Sequence, residues 1–286
     1  MGIWNAGLYD DDNAADLKTT LALVCKVPGD GDRLLNIVSE ATGAKSDDGE
    51  DAWYWLVLAD QFEKRGLASE RVRARALALI EGGADLAHAR ANGADDTYLN
   101  KRAAVLAELG ARIRAPRPLK PVKKAGKPPE LVLQTGQVYA FPTMDGRAWT
   151  PYRPANAAPF APDGWGALVV LDTGRAFGWL PWVALASLTV DPGRKPTLEQ
   201  AVQGRLIPHL QTQGAGRYVP KRAHAAGLGL ELLGEVRLDP RKVAPHLSTL
   251  PVAAAIALDW TICYGALRPE TRNVPVECEL ASLLAQ

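Results

Sequence analysis

Side chains suited to catalysis are scarce in this chain. Its 286 residues include four histidines and three cysteines, and 33 Lys and Arg against 32 Asp and Glu leave a formal charge of +1. Cys25, Cys263 and Cys278 are odd in number and widely spaced, which excludes a disulfide scaffold and suits a reducing compartment. The sequence contains no His-Glu-x-x-His, no Cys-x-x-Cys, no Gly-x-x-x-x-Gly-Lys-Ser/Thr and no Gly-x-Ser-x-Gly. The common zinc-hydrolase, zinc-structural, P-loop and serine-hydrolase readings go with them. Gly227 and Gly229 echo a dinucleotide loop, but Leu232 stands where the third glycine belongs. The apolar run Val252 to Leu258 is closed by Asp259, far short of the roughly 20 residues that cross a bilayer. Met1 to Asp12 has no basic leader and runs into three aspartates, and Ala6 replaces the Ser or Thr of an acylation signal. The expectation is a cytoplasmic protein without membrane contact.

The hydrophobic share of 47% over this length is enough for about two buried cores. Between Ala115 and Glu130 the hydrophobic periodicity stops, and five prolines alternate with Arg117, Lys120, Lys123, Lys124 and Lys127. This reads as an extended basic linker, 115–130, between an α-helical domain at 1–114 and an α+β domain at 131–286. Residues 1–114 carry 14 basic and 19 acidic side chains, so the near-neutral total conceals an acidic first half and a basic joint.

The first half predicts an array of helices. Asp12 or Asn13 caps the first, with Leu17, Leu21 and Val24 on one face, and a second carries Leu34 and Val38 up to Gly43. A third buries Trp53, Leu56, Ala59 and Phe62 and stops at Gly66. Ser69 caps a fourth with Val72, Ala76, Leu77 and Ile80 inward, and a last long helix follows Asp95 or Asp96 with Leu99, Leu106, Leu109 and Ile113. The second half predicts a mainly antiparallel sheet with flanking helices. Val138 to Phe141 forms a strand, Asp145-Gly146 a hairpin turn, and a second hairpin turns at Asp172-Thr173-Gly174 before a strand from Arg175 to Val183. Thr197 caps a short helix, Leu230 to Leu238 is a further strand, and Val252 to Tyr264 and Glu277 to Ala285 are helical.

Candidate chemistry is thin. Asp10, Asp12 and Asp16 lack the rest of a calcium loop, since Ala14, Ala15 and Leu21 occupy its fifth, sixth and twelfth positions. No metal and no cofactor is expected. His209, His224 and His246 have no ligand at metal spacing and read as structural or surface residues, with a hydrolase using His209 or His224 as a distant third hypothesis. Cys263 lies in an apolar stretch and reads as a core thiol. The aromatics carry more: Trp149, Trp165, Trp179 and Trp182 fall close together beside Arg147, Arg153 and Arg175. Trp and Arg are enriched at interface hot spots, while the alternative is that the tryptophans form the core of a small sheet. The group Arg147, Trp149, Arg153, Trp165 and Arg175 is the candidate partner-binding surface. Lys120, Lys123, Lys124 and Lys127 are the candidates for nucleic-acid binding, DNA included, in the alternative reading.

Two resemblances rest on particular residues. The opening Trp4-Asn5-Ala6-Gly7-Leu8-Tyr9-Asp10-Asp11-Asp12-Asn13-Ala14-Ala15-Asp16, with Asp60-Gln61-Phe62 and Ile80-Glu81-Gly82-Gly83-Ala84-Asp85-Leu86, resembles a bacterial family of helical domains of unknown function over about residues 3–113. Asn5 stands where that family has Gly. The run Thr135-Gly136-Gln137-Val138-Tyr139-Ala140-Phe141-Pro142, then Asp145-Gly146-Arg147 and Leu233-Gly234-Glu235-Val236, is similar to the immunity-protein families of bacterial polymorphic toxin systems. Gln137 replaces their usual Asp. That similarity implies a cytosolic, non-enzymatic protein that binds and blocks a cognate toxin.

Overall fold

The computed structural model describes residues 5–43, 51–122, 126–150, 156–207, 214–220, 222–249 and 276–285. Two compact units divide the chain, Met1–Pro128 and Pro129–Gln286. The fold is mixed α+β, with helices in the first unit and an antiparallel sheet in the second.

In the first unit α1 (Asp12–Val24) is capped one residue earlier than expected: the Asp11 carboxylate accepts the N–H groups of Asn13 and Ala14. Asp30 caps α2 (Gly31–Thr42), Ser69 caps α4 (Glu70–Glu81) and Asp95 caps α6 (Asp96–Arg114), each through its side-chain oxygen. α3 (Ala52–Arg65) packs against α1, α4 and α6, and every residue from Tyr54 to Glu63 is buried. Trp53 is half-buried, and on α4 the buried face is Val72, Ala76 and Leu79 rather than Leu77 and Ile80. A further helix, α5 (Ala84–Ala91), was not expected; it buries no residue, so its sequence carries no apolar stripe.

The second unit is built on β1 (Gln137–Met144), β2 (Arg147–Ala148), β3 (Gly164–Ala176), β4 (Leu180–Leu188), β5 (Leu206–Ile207), β6 (Arg217–Tyr218) and β7 (Glu231–Glu235). The order is β2-β1-β3-β4-β5, with β7 paired to β1 and β6 to β4, all antiparallel. Strand periodicity sends Val138, Ala167 and Val169 into one core and Phe141, Leu168 and Val170 into another on the opposite face. Both faces of the central strands are therefore covered. Short helices α7 (Leu198–Val202), α8 (Arg222–Gly227) and α9 (Pro240–Val243) and two 3-10 turns, Ala244–His246 and Leu280–Leu283, complete the described part. Thr197 caps α7 with a full capping box.

The β3–β4 hairpin exists, but its turn is displaced from the expected Asp172-Thr173-Gly174. Those residues lie inside β3, past a bulge that shifts the register between Val170 and Asp172. The chain reverses at Phe177-Gly178, both with positive φ (53° and 68°), closed by the Trp179 N–H on the Ala176 carbonyl at 2.9 Å. This conformation fits the right-handed strand twist. Asp145-Gly146 does turn β1 into β2, with φ of 52° and 68°. The expected strand Leu230 to Leu238 is confined to β7, the expected terminal helix is the single 3-10 turn, and the expected helix Val252 to Tyr264 lies outside the described residues.

Leu168 has no exposed surface and sits mid-sheet between Tyr139 of β1 and Ser187 of β4. Leu168→Ala is expected to lower the unfolding free energy by about 2–5 kcal/mol in a urea titration, since the rigid sheet cannot collapse into the gap.

Candidate functional site

The tryptophan–arginine group does not assemble as one patch. Pro142, Thr143 and Met144, the last residues of β1, are flanked by Arg147 and Ala148 on one side and by Gly164 and Trp165 on the other. Three of the five proposed contacts, Arg147, Trp149 and Trp165, thus belong to this end of the sheet. Arg175 does not. It is the penultimate residue of β3, ten positions from Trp165 and so roughly 33 Å away along an extended strand. Its guanidinium donates to the Pro129 carbonyl at 2.8 Å. Arg153 lies outside the described residues.

Each tryptophan has a distinct setting. Trp182 is buried, its ring lying over Gly174, where an added Cβ would come within 2.5 Å of the indole. For this residue the core reading holds. Trp179 closes the hairpin turn and belongs to neither β3 nor β4. Trp149 is half-buried with its ring against Gly227 of α8; a Cβ there would fall 2.4 Å from the indole. Trp165 is also half-buried. Its backbone N–H donates to the Pro192 carbonyl at 2.9 Å, it is paired with Pro142 across the strand pair, and the Lys195 ammonium stands 5.5 Å from its ring centroid. Lys195 is also ion-paired with Glu231, the first residue of β7.

That strand matters because among the described residues it pairs only with β1, leaving its other edge without a strand. An open edge presents backbone donors and acceptors. Leu232 on it is 53% exposed, one of the few large apolar side chains so placed. Glu231, Leu232 and Glu235 were not among the sequence candidates; an edge position depends on topology, which no local pattern carries.

The basic linker is partly not a linker. Arg117 pairs with the buried Glu63 at 3.1 Å, and the Lys120 N–H donates to the Gly66 carbonyl at 2.9 Å. Gly66 has φ of 66°, and a Cβ there would lie 3.0 Å from the Pro118 carbonyl, so glycine both ends α3 and admits the strap. Residues 117–120 are held on the helical unit. The side chains of Lys120 and Lys127 are exposed, while Lys123 and Lys124 lie outside the described residues.

Among the described residues, a dense ionisable cluster adjoins that strap through Glu63, which Arg117 also contacts. Asp60, with its carboxylate 1% exposed, receives Arg112 at 2.6 Å, Lys64 at 2.9 Å and the Tyr9 hydroxyl. Arg112 also reaches Glu63 at 3.0 Å. Burial by itself raises the Asp60 carboxyl, but the hydrogen bonds from Tyr9, Lys64 and Arg112 together outweigh it and hold the group below its ordinary range. Burial and the bond to Asp60 raise Tyr9. Arg102, also buried, forms a two-point pair with Asp85, both bonds 2.9 Å, and donates to the Gly7 carbonyl. These contacts fasten the N-terminal segment and α5 to α6 and α3.

Among the described residues no group of three or more His, Cys, Asp or Glu is placed to hold a metal ion, and no helix is long and apolar enough to cross a membrane. Compared with protein-family models, curated proteins and solved structures, the chain matches none.

Two outcomes follow from this geometry. Arg112→Ala leaves Asp60 and Glu63 short of their shared cation and is expected to cost about 3 kcal/mol in denaturant titration, the low end for a broken buried pair because Lys64 and Tyr9 remain on Asp60. A carboxyl lowered on folding contributes stability that is complete above its unfolded value near 3.8 and is lost as pH falls through the lower folded value. Acid unfolding followed by circular dichroism should therefore lie at higher pH in Arg112→Ala than in the wild type. Separately, Gly227→Val should displace the Trp149 ring, seen as a red shift of tryptophan emission.

Proposed function

We propose that the protein is a non-enzymatic, cytosolic binding protein whose second unit holds a partner protein at the Pro142–Met144 end of the sheet, along the open edge of β7. One observation carries this reading: a half-exposed Trp165 has its backbone bonded to Pro192 and paired with Pro142 while its ring lies near Lys195, and Lys195 links it to the edge strand that bears the exposed Leu232. A preorganised aromatic beside an open edge offers both halves of strand-addition recognition. Main-chain pairing supplies affinity and the side-chain anchor supplies specificity. Arg147, exposed on β2, and Trp149 extend the same end. The resemblance of Thr135 to Pro142, Asp145 to Arg147 and Leu233 to Val236 to toxin-immunity proteins supports a toxin as the partner, bound and neutralised rather than chemically altered.

The reading is tested by capture from a nuclease-treated bacterial lysate at low and high salt, using the wild type, Trp165→Ala and Leu232→Lys. The expected outcome is a stoichiometric protein retained by the wild type at high salt. Its affinity for Trp165→Ala should fall roughly thirtyfold, as for a hot-spot truncation of about 2 kcal/mol, with urea unfolding of the variant little changed. Nucleic acid released by salt and indifferent to both substitutions would overturn the reading in favour of the lysines of the linker.

A further inference from the structure

Cys278 and His246, 32 positions apart in the sequence, meet in the second unit. The Cys278 Sγ lies 3.4 Å from the His246 Nε2 and 3.4 Å from the Ser282 hydroxyl. Both side chains come from anchored backbone. The His246 carbonyl accepts the Ala215 N–H at 2.8 Å, and the Ser248 N–H returns to the Ala215 carbonyl at 3.0 Å. The Cys278 carbonyl accepts the Leu206 N–H of β5 at 2.9 Å, and the Val276 N–H donates to the Leu206 carbonyl at 2.9 Å. Cys278 is a free thiol and half-buried.

We infer that Cys278 is a site of covalent modification by hydroperoxides, with His246 as its proton acceptor and donor. An imidazole nitrogen at hydrogen-bond distance from a sulfur is the arrangement that turns a thiol into a nucleophile. The thiol proton passes to Nε2. The thiolate then attacks one oxygen of the peroxide; the S–O bond forms as the O–O bond breaks, and the leaving oxygen takes the proton from His246. Sulfur is oxidised by two electrons to the sulfenic acid, and the peroxide is reduced to an alcohol or to water. Ser282 donates its hydroxyl to the Glu279 carbonyl at 2.7 Å and can turn it to the thiolate when the charge forms. Among the described residues, the charged groups on the elements around the pair include Glu277 and Glu279 on the same segment, Arg205 beside β5, which pairs with Glu277 at 3.4 Å, Arg217 of β6, which donates to the Ser248 carbonyl at 3.0 Å, and Lys242 on α9, which binds the Leu284 carbonyl. Among the described residues no third His, Cys, Asp or Glu joins the pair as a metal ligand. The modified sulfur would sit on the segment that extends the sheet beyond β5, so its oxidation state is coupled to how firmly that segment is held.

The full-length reduced chain is treated with limiting iodoacetamide, and in parallel with hydrogen peroxide and dimedone, and labelling of each cysteine is followed by mass spectrometry. Cys278 in the folded chain is expected to react roughly tenfold faster than Cys278 in the same chain unfolded in urea, and to be the principal dimedone adduct. His246→Gln and His246→Ala should each remove that advantage while leaving the Cys25 rate unchanged. A folded-state rate no greater than the unfolded one, or a rate indifferent to both His246 variants, would overturn the proposal. Should either variant lose its circular dichroism signature, the other variant and the wild-type comparison of folded with unfolded chain still decide.

Discussion

The helical unit depends on one buried charge. Asp60 sits on α3, the helix with neighbours on several sides, and a carboxylate there is tolerable only if cations and donors surround it. The partners it recruits come from an N-terminal segment through Tyr9, from its own helix through Lys64 and from α6 through Arg112. Arg112 passes the requirement on to Glu63, and Glu63 to Arg117. A single desolvated group thereby sets the places of segments drawn from across the first 120 residues. A core of apolar side chains alone would be less particular about register.

The second unit solves a different problem. Its central strands are covered on both faces, so the sheet has little room to vary there, and variation is left to its ends and edges. The bulge at Leu171 and the Phe177-Gly178 turn let β3 run for 13 residues, which carries Arg175 far from Trp165. The aromatic residues divide accordingly. Trp182 fills the space over Gly174, whereas Trp165 stays half-exposed, propped by groups whose own partners lie on the neighbouring edge strand. The proposed interface follows from that division and from the topology of β7.

What could be read from the sequence was local. The Ser69 cap, the Thr197 cap, the end of α3 at Gly66 and the Asp145-Gly146 turn each depend on two to four adjacent residues, and each stands where expected. Asp172-Thr173-Gly174 misled because its composition suits a turn better than Phe177-Gly178 does, while cross-strand pairing, which is not local, set the register. α5 was missed because it buries nothing. The grouping of Arg175 with Trp165 failed because proximity in sequence becomes distance along a strand. Arg102 with Asp85 and Cys278 with His246 were out of reach for the opposite reason, being joined only by the fold.

The pairing of β7 with β1 has a consequence for the order in which the sheet comes together. β3 and β4 meet across a tight turn, whereas Gln137 bonds Glu235 across 98 positions. Closing a loop of that length is slow and entropically costly, so contacts of low sequence separation form ahead of it. In the native state the same strand, short, exposed and bonded on one side, is among the first parts of the sheet to open. The edge proposed to receive a partner is thus the edge the protein secures last, and among the described residues no strand supplies its second row of hydrogen bonds.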